Sequence, residues 1–403
     1  MVDVARRGIA AAAVALGLVA IGVMPSAWAD ETDPPAAEDA GSVRVEAAAA
    51  DAVSDESVRA VAAMSLRERA ASVVMGHIPT TDTAALRDYM ASTGIGGFIL
   101  MGANIPASES ALRDVTAALT IDPALPPLLA IDQEGGDVSR LPWDGFPSSL
   151  ELKDAPPAAA QDAFAARAAL VQRAGIGVNF GIVADETNDP GSFIYRRALG
   201  TTPDSAAERV AAAVAGEGSA AMSTLKHFPG HGAAPGDSHR GIPSTDMSKD
   251  QWAASDGVPF AAGIDADAPL LMFGHLAYTA VDAAPASLSA EWHRIAREEL
   301  GFEGIAVTDD LGMLEASGDP RYGDPVANAV AALAAGNDVV LGVMFSDSRS
   351  ATRIVDGIVS AVESGSLPAE RLDEAAARVH EMRTSLAADG RGLMPCADCE
   401  SAG

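Results

Sequence analysis

From residue 94 onward the chain is punctuated by short, uninterrupted apolar runs. They read GIGGFIL at 94–100, PLLAID at 127–132, GVNFGIVAD at 177–185, AMSTLKH at 221–227, PLLMFGH at 269–275, GIAVTDD at 304–310 and NDVVLGV at 337–343. Continuous rather than alternating hydrophobicity marks strands buried on both faces, as in parallel sheets. Amphipathic stretches lie between the runs. One helix is expected after Ser65, where SLRE has the Ser-x-x-Glu form of a capping box. Another is expected over 290–300, entered from Ser289 and stopped by Gly301. Strands alternating with helices over this length predict an α/β protein with a parallel sheet and helical crossovers. Seven runs are visible and a barrel needs eight. The expectation is therefore a single (β/α)8-type TIM barrel, irregular or with one weak strand, ahead of an open doubly wound sheet.

Polar residues stand where the runs end: Asp132, Asp185, Lys226 with His227, His275, and Asp309 with Asp310. Barrel enzymes gather their active sites at the C-terminal ends of the strands. An aspartate at such an end can instead cap the following helix, but a lysine cannot serve at a helix N-terminus.

The first 57 residues are of a different kind. Arg6 and Arg7 precede an apolar run and then PSAWAD, the layout of a secretory signal peptide over 1–29, cut after Ala29. Residues 30–57 are acidic, alanine-rich and poor in bulky apolar side chains, and are expected to form a disordered acidic linker. The catalytic barrel is expected over 58–388, followed by a C-terminal tail at 389–403. The only cysteines, Cys396 and Cys399, fall in that tail. In an oxidising compartment they are expected to form a local disulfide, without catalytic weight.

The formal net charge of -29, from 27 basic and 56 acidic side chains, makes the chain a poor partner for polyanions. Nucleic acid is excluded as a partner, and no stable membrane insertion is expected once the signal is removed.

The most unusual text is STLKHFPGHGAAPGDSHRGIP at 223–243, which holds three of the seven histidines: His227, His231 and His239. Three roles compete for it. His-x3-His with a later Asp-x-His offers plausible metal ligands, but the intervening PGHG is a turn and guarantees no geometry; no metal is expected. A structural role, with the ring held by backbone groups, suits His231 between Gly230 and Gly232. Acid/base chemistry suits Asp237 and His239, two positions apart, where the carboxylate can orient and charge the imidazole.

These segments resemble glycoside hydrolase family 3, and its β-N-acetylhexosaminidase branch in particular. The resemblance rests on KHFPGHG followed by DSH, on AIDQEGGDVSRL at 130–141, on PASLS at 285–289, on LGFEGIAVTDDLGM at 300–313 and on AGNDVVL at 335–341. It implies that Asp309 is the catalytic nucleophile, with Asp310 the rival, and that His239 is the acid/base with Asp237 as its partner. It further implies that Asp132, Arg140, Lys226, His227 and Arg197 hold the sugar. Two departures stand out: Asp137 occupies a position where the family usually has arginine, and Arg197 sits in YRRALG behind an untypical loop, DETNDPGSF at 185–193.

The resemblance implies a secreted, monomeric, retaining exo-β-N-acetylhexosaminidase that needs no cofactor. Its substrate would be a carbohydrate ending in N-acetylglucosamine, from peptidoglycan fragments or chitooligosaccharides. The alternatives are a phosphorylase or β-glucosidase of the same family, and, in another class, a non-catalytic cell-wall-binding protein.

Overall fold

The structure is a computed structural model that describes residues 53–218 and 220–390. The expected signal peptide, most of the linker and both cysteines lie outside the described residues. Eight parallel strands form one sheet: β1 (Val74–Gly76), β2 (Gly97–Leu100), β3 (Leu128–Ile131), β4 (Val178–Val183), β5 (Met222–Phe228), β6 (Leu270–Phe273), β7 (Ile305–Thr308) and β8 (Val340–Leu341). Each strand pairs with the next in sequence, with registers such as Gly97↔Leu128 and Leu270↔Ile305. β8 returns to β1 at Val74↔Val340. The ring closes where Val307 bridges Val339 and the Thr308 amide donates to the Val339 carbonyl at 3.1 Å.

The strand missing from the sequence pattern is β1. It is three residues long and follows directly on a helix, so Val73, Val74 and Met75 read as that helix's apolar face.

Among the helices that clothe the sheet are α1 (Asp55–Ala63), α2 (Leu66–Ser72), α3 (Pro157–Arg173), α4 (Pro203–Glu217), α5 (Ala290–Arg294) and α6 (Ala369–Asp389). α2 starts as expected: Ser65 and Glu68 form a reciprocal capping box. α5 is capped by Ser289 and runs into one π-helical turn, Ile295–Glu299, which Gly301 follows. The expected linker boundary differs. α1 begins at Asp55, capped by Ser54, so the last positions before 58 are already helical. A stretch so poor in apolar side chains folds through polar contacts: Ser57 is buried, and its hydroxyl donates to Glu381 on α6 at 2.6 Å.

Inside the barrel, Met75, Ile99, Ala130, Phe180, Met222, Met272 and Val307 from successive strands pack together. α6 adds Val379, Met382 and Leu386. Leu386 lies over Gly177, just before β4 begins, and Arg383 donates to the carbonyls of Leu125 and Pro126 ahead of β3. α6 therefore stoppers the N-terminal mouth and leaves the opposite mouth for chemistry.

The weak β7–β8 seam is held by charge. Asp338 has no exposed surface and accepts from Arg297 and Arg371 at 2.6 Å each, from Arg378 at 3.2 Å and from the Ala306 amide at 3.0 Å. Burial alone would raise its pKa, but three guanidiniums hold it below the usual carboxylate range.

Candidate active site

At the C-terminal mouth a buried lysine organises the first cluster. Lys226, at the end of β5, is only 2 % exposed, so its ammonium needs partners. It finds Asp132 Oδ1 at 3.0 Å and Glu134 Oε1 at 2.7 Å. Arg140 Nη2 takes the other Asp132 oxygen at 3.0 Å. Arg197 forks onto Glu134, with Nε to Oε2 at 2.9 Å and Nη2 to Oε1 at 2.7 Å. Two carboxylates thus share three cations. Burial would raise Glu134, but Arg197 and Lys226 bring it down to about 2. Burial would also lower the Lys226 ammonium, and the two carboxylates outweigh that and raise it. Glu134 and Lys226 are therefore both charged near neutral pH.

The loop after β3 is shaped from beneath. Gly135 has φ 85°, and a Cβ there would come 2.1 Å from the Arg167 guanidinium, so only glycine fits. Arg167 is buried and paired with Asp144 at 2.7 Å, and Asp144 also receives Gln133 Nε2 at 2.6 Å. Gln133 in turn accepts from the amides of Arg140 and Leu141, which aims Arg140 back over the mouth.

Asp185, at the end of β4, ties the cluster to the histidine loop. Its Oδ2 accepts from His227 Nδ1 at 2.7 Å, and its Oδ1 from the amides of His227 at 3.1 Å and His231 at 2.6 Å. An acceptor at Nδ1 leaves the Nε2 lone pair of His227 facing Arg197 Nη2, 3.3 Å away. Beyond the cis Lys226–His227 and Phe228–Pro229 peptides, the loop is fixed at its start. Trp252 Nε1 donates to the Pro229 carbonyl and the Tyr278 hydroxyl to the Gly230 carbonyl, each at 2.7 Å. A Cβ at Gly232 would lie 1.6 Å from the Glu186 carbonyl oxygen. His231 is buried in a structural position, but its amide makes the bond. Among the described residues both ring nitrogens lack partners, and the ring sits edge-on to Phe193 at 4.5 Å. That contact docks the untypical 185–193 loop and, through it, Arg197.

At the end of β7 the two aspartates part ways. Asp310 is engaged on both oxygens: Oδ1 accepts from the amides of Gly312 at 3.0 Å and Val343 at 2.8 Å, and Oδ2 from that of Met344 at 2.8 Å. Burial nevertheless pushes its pKa up to about 6 against those donors. Among the described residues, the Asp309 side chain accepts only the Asp310 amide, at 2.7 Å. Burial would raise it, but His227, His275 and that amide keep it below the usual range. His275 is locked: Nε2 must donate to the Asp310 carbonyl at 2.8 Å, so Nδ1 accepts from Ser287 at 2.7 Å. Burial lowers its pKa and keeps it neutral.

Asp237 and His239 form the expected pair. His239 Nδ1 lies 2.8 Å from Asp237 Oδ1, and the His239 amide donates to the same oxygen at 3.0 Å. Burial works to raise Asp237, and the bonds from His239 bring it below the ordinary range. The imidazole is exposed. Among the described residues, no hydrogen bond or ion pair joins this pair to Asp309 or to the lysine cluster. Asp132, Arg140, Lys226, His227 and Arg197, by contrast, form one connected network. Sequence reasoning missed Glu134, and it marked Asp185 as a polar strand end without giving it a role. The signal for Glu134 was the buried lysine itself, which one carboxylate does not satisfy. Asp137 does not disturb the network: it pairs with the exposed Arg196 at 2.6 Å, outside Arg197. Among the described residues, no group of three or more His, Cys, Asp or Glu side chains is arranged to hold a metal ion, and no helix is long and apolar enough to cross a membrane.

An eightfold parallel barrel whose strand ends gather an unencumbered carboxylate, a lysine, arginines and histidines defines a barrel hydrolase. The comparisons specify which. The family model described as "Glycosyl hydrolase family 3 N terminal domain" matches residues 65–382. A beta-hexosaminidase of Idiomarina loihiensis is 34% identical over 312 residues, 75% of this chain and 89% of that protein. One from Pseudomonas aeruginosa is 37% identical over 277 residues, covering 67% and 80%. Among solved structures, a glycoside hydrolase family 3 beta-N-acetylglucosaminidase from Paenibacillus sp. superposes with a TM-score of 0.75 at 29% identity, covering 80% of this chain and 63% of that one. A beta-N-acetylhexosaminidase from Beutenbergia cavernae gives 0.69 at 28%, covering 81% and 99%. The chain belongs to glycosyl hydrolase family 3 and is a glycoside hydrolase.

Proposed function

We propose that this protein is a retaining exo-β-N-acetylhexosaminidase that releases terminal N-acetylglucosamine by way of a glycosyl-enzyme intermediate. The observation that carries the reading is the difference between the two aspartates after β7. Asp310 is consumed by backbone amides, while Asp309 keeps a free, ionised oxygen beside the cationic cluster.

In the first step an Asp309 oxygen attacks the anomeric carbon, and the bond to the leaving oxygen breaks as His239 gives that oxygen a proton. In the second step the neutral imidazole takes a proton from water, whose oxygen attacks the same carbon and frees Asp309. Most retaining enzymes use two carboxylates for these roles. A His–Asp pair in place of the second avoids a like charge beside the nucleophile. Asp237 orients His239 through Nδ1 and stabilises its imidazolium. Asp132 and Arg140 face the mouth and take sugar hydroxyls. Lys226, His227 and Arg197 stand behind them in the same network. Such a ring of charged donors and acceptors recognises a hydroxylated ring by hydrogen bonds that an apolar ligand leaves unmade.

The names of the relatives support the acetamido sugar as substrate. Peptidoglycan fragments or chitooligosaccharides are its natural sources in this reading, and the N-terminal text supports secretion. The test is release of nitrophenol from the β-N-acetylglucosaminide by wild type and Asp309→Ala, with and without phosphate. Wild-type turnover independent of phosphate, lost in Asp309→Ala, is expected. Strict phosphate dependence, a strong preference for the β-glucoside, or no turnover at all would each overturn the assignment.

A further inference from the structure

A concavity lies on the same mouth and takes no part in the sugar-holding network. It is a cleft of ≈ 330 Å³, within the roughly 300–1,000 Å³ typical of small-molecule sites. Its walls come from three consecutive strand-to-helix connections, those after β5, β6 and β7. These strands end in Lys226 with His227, in His275 and in Asp309. Ser244 belongs to the connection that carries Asp237 and His239. It pairs in a short parallel ladder with Ala277, where the Ala277 amide donates to the Pro243 carbonyl at 2.9 Å. Pro285 lines the cleft, and Ser287, two positions on, holds His275. The cleft is thus bounded on one side by the loop of the acid/base pair and on another by the connection that follows the nucleophile.

We propose that the cleft walled by Ser244, Thr279, Pro285, Ser317, Asp319 and Arg321 is the leaving-group subsite, built to receive a second, neutral pyranose ring. The inference rests on the glycosidase reading above, since a general acid must stand beside the leaving oxygen, and so beside the group attached to it.

The lining chemistry fits such a ring. Arg321 and Asp319 are paired through Nε and Nη2, the latter at 2.6 Å, which cancels net charge at the cleft wall. A charge-balanced fork of this kind suits vicinal hydroxyls, which both donate and accept, rather than an anion. Ser244 adds a hydroxyl, and those of Thr279 and Ser317, which donate to the Thr245 and Leu314 carbonyls at 3.1 and 2.6 Å, add acceptors. Ile242, Ala277 and Pro285 interleave small apolar patches that match the C–H face of a pyranose. The wall is braced from behind: Asn328 donates to the Tyr322 carbonyl at 2.9 Å, and the Arg321 guanidinium lies 5.2 Å from the centre of the Tyr322 ring. The subsite is therefore largely formed before any substrate arrives.

The experiment compares a β-linked N-acetylglucosamine disaccharide with N-acetyl-β-glucosaminyl azide, whose three-atom leaving group leaves the cleft empty. Arg321→Ala and Thr279→Val both alter exposed side chains. The expected result is a loss of about tenfold for Arg321→Ala and about threefold for Thr279→Val in kcat/KM on the disaccharide. The loss should fall mainly in KM, with turnover of the azide within about twofold of wild type. Equal losses on both substrates, or none on the disaccharide, would overturn the subsite. If wild type hydrolyses neither compound, the glycosidase reading fails and the subsite with it; turnover of the azide by wild type separates the two cases.

Discussion

Asp185 grips His227 twice, by Nδ1 at 2.7 Å and by the main-chain amide at 3.1 Å, and with the same carboxylate holds the amide of His231. One buried side chain thereby fixes the tautomer of a candidate sugar ligand and the take-off direction of the loop that carries Asp237 and His239. An amide at position 185 would present N–H₂ to Nδ1 and favour the other tautomer, turning an N–H toward Arg197. Asp185→Asn is expected to cut kcat/KM by about 10- to 100-fold, the scale at which misplaced supporting groups act. Steady-state kinetics beside a thermal melt checks it: an unchanged kcat/KM in a folded variant contradicts the assigned tautomer.

The aspartates after β7 should respond in opposite ways. Asp309→Ala is expected to abolish turnover by at least about 10³-fold while leaving the melting transition near wild type. Asp310→Ala leaves the amides of Gly312, Val343 and Met344 without their acceptor. Its expected cost is about 2–5 kcal/mol of stability, from about 1–3 kcal/mol per orphaned buried donor and partial relaxation. Denaturant unfolding of both variants decides between the roles, and a stable but inactive Asp310→Ala would reverse them.

The exposed pair should behave as machinery without structural duty. His239→Ala and Asp237→Asn are expected to lower kcat by about 10²- to 10⁴-fold, the usual span for general acid–base groups. Neither change should move the unfolding midpoint, since among the described residues the exposed ring hydrogen-bonds to nothing beyond its partner. A variant with wild-type kcat removes the pair from the mechanism.

Asp338 locks the β7–β8 seam, and its removal strands three arginines. Asp338→Ala is expected to destabilise by about 3–5 kcal/mol, the penalty for breaking a buried ionic cluster from one side. The pH dependence has a definite sign. A carboxyl held below its unfolded value contributes stability above the unfolded pKa, near 4, and loses it as pH falls through the lower folded value. Wild type should therefore lose more stability than the variant when taken below about pH 4, as calorimetry in acid would reveal.

Asp256 points the other way. It is buried, Oδ1 has no partner among the described residues, and burial pushes its pKa up to about 7 despite a hydrogen bond from Ser255. A raised carboxyl favours the folded state at low pH, and that advantage disappears as pH rises from about 4 through about 7. Asp256→Asn is expected to stabilise the protein by about 1–3 kcal/mol at pH 8 and to have little effect at pH 4. Melting curves at the two pH values are the check: equal shifts at both would show that the carboxyl is not buried as a neutral acid.

Much of this architecture was legible in one dimension. Seven of the eight strands announced themselves because a strand covered on both faces must be apolar along its whole length, and the polar residues ending five of the runs marked the mouth of the barrel. Ser65 and Ser289 fixed helix starts locally, through bonds spanning three or four residues. The Asp237–His239 pair was equally readable, for its two members lie two positions apart and close on each other without help from the rest of the fold.

What the chain alone could not specify was anything settled by groups far apart along it. β1 hid because three residues carry too little pattern to stand apart from a preceding helix. Glu134, and the role of Asp185, emerged only when Lys226 and His227, 92 and 42 positions away by number, came to rest against them, since a buried charge takes its partners from space and not from sequence. The division between Asp309 and Asp310 was likewise decided by the amides of Val343 and Met344. Adjacent identical side chains differ only in what the folded chain brings to each.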